Sequence, residues 1–344
     1  MRSLFILGQD VGDEVTDWGE FEEVKEVLLA QAQMFVGQIS VRLKNTNGAF
    51  SPSNPLGLLG GVGVYGLPVS LVFDGVTVYS GVLRDVVEDY ATKSVTLVIQ
   101  NALTGPSETA VDLVASGLNP ALAILTLLQQ VLPASQIDAA AFLGVAGVFD
   151  AAGATVGCNY TTASKKTMLQ SVQDISALGG FSVFALGPVV TCRPGISRQS
   201  VKQVLDGKAV KAFGQKSLAY EFFANQVGVG WGASATFTAT DQASLRANGL
   251  KTYAFSTNTG SDLYVSDAGS AQFFADAFLA RCANIRTEIT LDVDEYYLND
   301  VTLGDVYGIT APLWYLDQVP FEVLEVHRVP KEFKISLVMA TLPR

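Results

Sequence analysis

Hydrophobic and polar residues alternate through most of the first hundred positions, the period-2 pattern of strands with one buried face. The stretch QISVRLKN (38–45) sets Ile39, Val41 and Leu43 against Ser40, Arg42 and Lys44. LPVSLVFDGVTVYSGVLRDVVED (67–89) places Asp74-Gly75 between two β-branched and aromatic runs. Asp-Gly supplies the positive φ angles of a type I′ turn, so the spacing predicts a hairpin there. KSVTLVIQN (93–101) completes a set of antiparallel strands.

The pattern then changes. PALAILTLLQQVLP (120–133) reads as a helix, with Asn119 as its cap and Pro120 at the first helical position, where a missing N–H costs little. TASKKTMLQSVQDISALGG (162–180) puts Leu169, Val172, Ile175 and Leu178 on one helical face and ends at Gly179-Gly180. The small, Gly/Ala-rich stretch 134–160 predicts no definite element, and FSVFALGPVVTCRPG (181–195) reads as a hairpin. Short strands follow in NQVGVGWG and TFTAT, then a third helix at about 268–284, whose apolar face carries Phe273, Phe274, Ala277, Phe278, Leu279 and Ala280. TEITLDVDEYY, VTLGDVYGIT, FEVLEVHRV and FKISLVMA return to strands.

These last four runs repeat the order of the first four. Leu83 and Val98 in the amino-terminal set correspond to Leu324 and Val338 in the carboxy-terminal set. Such a repeat implies two related antiparallel β-barrels in one chain.

Composition sharpens the picture. Only 16% of the 344 residues are charged and 49% are hydrophobic, a balance that points to apolar surface covered in an assembly. The net charge of −11 leaves no basic stripe for specific nucleic-acid binding. The basic cluster Lys202–Lys216 is broken by apolar residues and reads as a solvated face. No apolar run approaches the ~20 residues of a membrane span, and an amino terminus that turns acidic within ten residues does not fit a signal peptide. Cys158, Cys192 and Cys282 form no C-x-x-C pair and are odd in number, pointing to a reducing compartment.

Candidate chemistry is thin. Gly61-Val-Gly63-Val-Tyr-Gly66 spells G-x-G-x-x-G, but Pro68 and a hairpin follow it, whereas a dinucleotide loop must lead into a helix. The lone histidine, His327, sits in an alternating strand, and no G-x-S-x-G turn presents a serine to it. Asp292 and Asp294 open a calcium-loop-like run that lacks the required glycine at Tyr297 and the glutamate at Leu303. The sequence therefore offers no catalytic, cofactor-binding or metal-binding residues, and the expectation is a non-enzymatic structural or binding protein without cofactors.

A resemblance adds to this. Residues 39–86 carry Asn45, Asn47, Gly48, Phe50, Ser51, Pro52, Asn54 and Pro55, then Val78, Tyr79, Gly81 and Leu83. In that order they resemble the opening of the baseplate or tail-tip hub proteins of long-tailed bacteriophages and gene transfer agents. ANQVGVGWG (224–232) is similar to the strand opening the second barrel of that family, and DQASLRANGLKTYAF to its approach to a helix. The family's Tyr-Gly-Arg is replaced here by Ala247-Asn248-Gly249.

The resemblance implies a mainly β (α+β) fold: two tail-tube-like antiparallel β-barrels with an α/β middle insertion. It divides the chain into 1–103, 104–195 and 196–344. It also implies a homotrimeric ring at the virion's tail tip, adapting a six-fold tail tube to a three-fold tip and lining a passive channel for DNA ejection. The implied partners are a distal tail protein, other baseplate proteins and a tape-measure protein, with assembly in the bacterial cytoplasm. Two other readings stay open: a receptor- or glycan-binding tail protein using Trp231, Trp314 and Tyr315, and a cell-wall hydrolase.

Overall fold

In the computed structural model, residues 2–342 are described except 25–26, 29–30, 33–36, 102–107, 162–165, 187–188, 195–199, 221–222 and 299. The chain opens with short strands β1 (Arg2–Ile6), β2 (Gln9–Asp10), β3 (Val15–Asp17), β4 (Phe21–Val24), β5 (Val27–Leu28) and β6 (Gln31–Ala32). Four longer strands follow: β7 (Gln38–Lys44), β8 (Pro68–Phe73), β9 (Val76–Asp89) and β10 (Ser94–Gln100). The first sheet has the order β2-β1-β8-β9-β10-β7-β3. Its alternating positions bury Ile39, Val41, Leu43, Leu71, Leu97 and Ile99 on one face, as the period-2 pattern predicts. Asp74 and Gly75 both take positive φ, 49° and 84°, and close the expected hairpin.

The middle holds β11 (Leu113–Leu118), α1 (Pro120–Val131), α2 (Ala139–Ala152), β12 (Val156–Tyr160), α3 (Met168–Gly179), β13 (Phe181–Leu186) and β14 (Val189–Pro194). Asn119 caps α1 through a 3.0 Å bond from the Ala121 amide. The helix expected over 162–180 begins at Met168, because Thr167 and Gln170 close a capping box there; residues 162–165 lie outside the described ones. The stretch 134–160, to which the sequence assigned no element, forms α2 and β12. Asp138 caps α2 and Gly153, at φ 64°, ends it.

Then come β15 (Val204–Leu205), β16 (Val210–Ala219), β17 (Gln226–Trp231), β18 (Ala235–Thr240), α4 (Gln242–Asn248), β19 (Thr252–Phe255), β20 (Leu263–Tyr264) and α5 (Ala268–Cys282). The chain ends with β21 (Arg286–Asp294), β22 (Val306–Ala311), β23 (Leu316–Val329) and β24 (Lys334–Thr341). The second large sheet has the order β15-β22-β23-β24-β21-β16. Each large sheet curls into a half-barrel, giving the expected mainly β fold with two barrel-like sheets.

One expectation is overturned. ANQVGVGWG does not open the second barrel: β17 sits in a separate sheet, β18-β17-β19. Val227 and Val229 pack with α1, α2, α3 and α5 in the core of the middle unit. Segment 226–282 leaves the second sheet between β16 and β21 because its apolar residues, Phe274 and Phe278 among them, complete that helical core. Among the described residues three cores result, one under each large sheet and one in the middle. The β13–β14 hairpin joins two of them: alternation sends Val183 into the middle core and Phe184 into the second-sheet core.

The repeat is far more regular than the sequence shows. β9 and β23 are both 14 residues long and start 240 positions apart, at 76 and 316. Each carries one extra residue against the next strand: Arg84 in β9 and Leu324 in β23, again 240 apart. The pairs Asp85↔Val98 and Glu325↔Val338 coincide under the same shift. Both hairpins turn through a left-handed residue just before the return strand, Lys93 at φ 51° and Phe333 at φ 49°. The incoming strand matches too, with Lys44 opposite Ser94 and Asp294 opposite Lys334. Val98 and Val338 are thus true equivalents, whereas Leu83 corresponds to Val323 and not to Leu324.

Candidate functional site

The two large sheets meet along a seam. Arg2, at the start of β1, lies over the rings of Phe73 in the first sheet (4.8 Å) and Phe333 in the β23–β24 turn of the second (4.2 Å). Its guanidinium donates to Glu295 Oε2 at 2.5 Å, and Glu295 is 5% exposed. Further along, Lys331 Nζ lies 2.8 Å from Asp17 Oδ2. Burial raises the Asp17 pKa, but the Lys331 ammonium and the Gly19 amide outweigh it and hold the carboxyl below its usual range. β4 then leaves the first sheet and pairs antiparallel with β23 of the second, Phe21 opposite Arg328 and Val24 opposite Glu325.

The residues behind the family resemblance are structural. Asn45 Nδ2 donates to Ser51 Oγ at 2.9 Å, while its Oδ1 accepts from the Phe50 amide at 3.0 Å. Ser51 Oγ in turn donates to Glu88 Oε2 on β9 at 2.7 Å. Asn54 Nδ2 donates to the Gly48 carbonyl at 2.9 Å, and Gly48 holds φ 67°. The loop is therefore locked by its own amides, with Phe50 plugged into the first core. Gly61 and Gly66 take positive φ and lead into β8 with no helix. A Cβ on Gly60 would lie 1.7 Å from the Asn54 carbonyl oxygen, which explains a glycine at that crossing.

The other candidate residues fall apart from one another. His327 is half-buried on β23 with Nε2 3.4 Å from Glu20 Oε2. Asp292 accepts from Ser336 Oγ at 2.6 Å, and Asp294 meets Lys211 at 3.3 Å. Among the described residues no group of three or more His, Cys, Asp or Glu side chains is placed to hold a metal ion. Cys158, Cys192 and Cys282 are free and buried; burial pushes the first two thiols up to about 12 and the third to about 11. The tryptophans separate by core, with Trp18 against the first, Trp231 against the middle and Trp314 against the second. Beside Trp314, Leu313 and Tyr315 are 94% and 96% exposed at a hairpin tip.

The lysines of Lys202–Lys216 are exposed, as the solvated-face reading expects, and three of them also make bonds within the second sheet's half of the chain. Lys202 reaches the buried Asp305 at 2.8 Å, Lys211 donates to the Phe333 carbonyl at 2.8 Å, and Lys216 donates to the Trp314 carbonyl at 2.8 Å. The lysines staple β15 and β16 to the rest of the second sheet, a role that only the strand register reveals.

Sequence reasoning also missed a polar cleft of about 520 Å³ in the middle unit, lined by Lys166, Asp174, Tyr253, Thr257, Ser261 and Asp262. Lys166 is bonded to Asp174 and lies 3.6 Å from Asp262. Burial works against the Lys166 ammonium, and the two carboxylates more than offset it, so its pKa is raised. Residues from α3, β19 and the loop before β20 meet here across about ninety positions, so no local motif marks the site.

No protein-family profile matches the chain, and no curated protein is similar to it in sequence. Solved structures are similar over nearly its whole length, and they show its fold, which is that of bacteriophage and prophage tail proteins. A tail protein from Neisseria meningitidis MC58 superposes with TM-score 0.62 at 11% identity, covering 99% of this chain and 95% of that one. The 43 kDa tail protein of prophage MuSo2 from Shewanella oneidensis gives 0.58 at 9% identity, covering 99% and 96%. Prophage tail protein gp18 from Listeria monocytogenes EGD-e gives 0.55 at 10%, covering 98% and 91%. No helix among the described residues is long and apolar enough to cross a membrane.

Proposed function

We propose that this chain is a structural virion protein, the hub of a phage baseplate or tail tip. Three copies close into a ring that presents six barrel-like sheets to a six-fold tail tube and lines the channel for DNA ejection. The observation that carries this reading is the 240-residue repeat of strand length, bulge and hairpin between β9–β10 and β23–β24. One chain supplies two nearly equivalent surfaces, which is what joining a three-fold object to a six-fold one requires. The net charge of −11 suits a channel through which DNA passes without sticking. The partners on this reading are further copies of the chain, a distal tail protein, neighbouring baseplate proteins and a tape-measure protein. The location is the virion, after assembly in the host cytoplasm.

We further divide the chain by its cores. The first barrel is residues 1–103. The middle unit joins 104–195 to 226–282, and the second barrel joins the β15–β16 region to 286–341.

Mass photometry of the purified chain, with antibody labelling of virions, tests the proposal. Trimers and labelled tail tips are expected; a stable monomer with no label on the tail would overturn it. A second reading, glycan binding at the Tyr253–Asp262 cleft, rests on the union there of an aromatic ring, carboxylates and hydroxyls. Retention of the chain on a glycan array, lost in Asp262→Ala, would favour it.

A further inference from the structure

The repeat exposes a difference between the two sheets. Along β23, the first half pairs with β22, and residues 325–328 pair on that same side with β4. The equivalent positions on β9, shifted by 240, are Asp85–Glu88. Along β9, pairing with β8 ends at Val82 opposite Pro68, and two further backbone bonds join Leu83 to Gly66 and Leu67. Among the described residues no strand continues beside Asp85–Glu88 on that side. The Val86 amide there donates to the neighbouring Asp85 carboxylate at 2.8 Å, and Val87 is 52% exposed. This is an open edge.

The donor can be found by the same equivalence. β4 continues from β3, whose pairs Val15↔Leu43 and Asp17↔Arg42 skip one residue. β16 repeats that irregularity on β21, with Val210↔Val293 and Ala212↔Asp292 skipping one residue. Leu43 and Val293 are equivalent, as are Arg42 and Asp292, so β3 corresponds to the start of β16. Counting on from there, Phe21–Val24 corresponds to Lys216–Ala219. In the first half of the chain this segment leaves its own sheet for the second one. In the second half it stays on β21 as the terminal strand of its sheet, and among the described residues no strand pairs with its outer side.

We infer that Lys216–Ala219 of one copy pairs antiparallel with Asp85–Glu88 of the next copy, in the register by which β4 already pairs with β23 within the chain. This rests on the ring reading above and specifies its joint. The transferred register sets Asp85 opposite Ala219, Val86 opposite Leu218, Val87 opposite Ser217 and Glu88 opposite Lys216. Opposite charges meet at one end and apolar side chains beside them, with Leu218 53% exposed in the single chain. Glu88 keeps one carboxylate oxygen beyond its bond from Ser51, and the Lys216 ammonium has donors beyond its bond to Trp314. The contact is head-to-tail, the kind that closes rings.

The test uses the full-length chain carrying Val87→Cys with Ser217→Cys, oxidised and run on a non-reducing gel beside mass photometry. The native thiols are buried and do not compete. Covalent dimers and trimers are expected, with neither from the single variants nor from Val87→Cys with Tyr220→Cys, three residues out of register. Trimers that assemble but fail to cross-link, or that cross-link equally in the shifted control, overturn the pairing and leave the ring reading intact. A monomer at every concentration overturns both. Charge reversal supplies a second measurement that needs no cysteine. Glu88→Lys or Lys216→Glu alone weakens assembly roughly tenfold and the two together restore it; no rescue in the double variant refutes the register.

Discussion

Replacing Arg2 with methionine removes the cation that ties the first strand to the second sheet while keeping an apolar stem against Phe73 and Phe333. The Arg2 side chain is 16% exposed and the Glu295 side chain 6%, so the pair is nearly out of water. Breaking a buried pair from one side costs about 3–5 kcal/mol, because the remaining charge is left without compensation. The residual exposure of Arg2 places the expected loss near the lower end, about 3 kcal/mol. With an unfolding entropy of about 2.1 cal/mol/K per residue, a chain of 344 residues shifts by roughly 1.4 °C per kcal/mol, so the melting temperature falls by about 4 °C. The interaction is isolated by a double-mutant cycle of Arg2→Met, Glu295→Gln and the pair, measured by calorimetry under conditions that keep the chain monomeric. A coupling energy of about 2 kcal/mol is expected. A value below about 0.5 kcal/mol, typical of exposed pairs, would refute the claim that this contact joins the two sheets.

Three further outcomes follow from the geometry. Gly60→Ala forces a Cβ against the Asn54 carbonyl and should cost about 1–3 kcal/mol, read as a lowered thermal midpoint; an unchanged midpoint would show that the loop is not locked as described. The Asp17 carboxyl has a depressed pKa, so its contribution to stability is present above its unfolded value and lost as pH falls through the folded one. Asp17→Asn should therefore flatten the acid limb of the melting curve below about pH 4, and a parallel acid limb would count against the Lys331 contact. Burial keeps the three thiols protonated, so a thiol reagent at pH 8 should label none in the folded chain and all after denaturation; rapid labelling of any one would contradict the packing.

Much of this architecture was legible in the sequence where the signal was local. Asp74-Gly75 announced its hairpin, Asn119-Pro120 its helix, and the period-2 runs their buried faces. The repeat was legible only as a rhythm. Of the fourteen aligned pairs between β9 and β23, only Val86 and Val326 are identical, so side-chain matching slipped by one residue at Leu324. A bulge is a backbone property and leaves no fixed residue type behind it. α2 went unseen because its Ala/Gly-rich sequence carries little amphipathic contrast. β17 was misassigned because Val-Gly-Val-Gly describes a strand without saying which sheet receives it. The polar cleft and the Arg2–Glu295 seam were beyond reach, each joining residues far apart in the chain.

The cross-sheet pairing of β4 also has a consequence in time. Val24 leaves the ribosome 301 residues before its partner Glu325. At a synthesis rate of about 5–20 residues per second, that is a wait of roughly 15–60 s. The first sheet can assemble early from its own neighbouring strands, but β4 must wait until β23 has been made. Its docking on β23 therefore marks the completion of the second sheet, and a product truncated before β23 would carry that arm undocked.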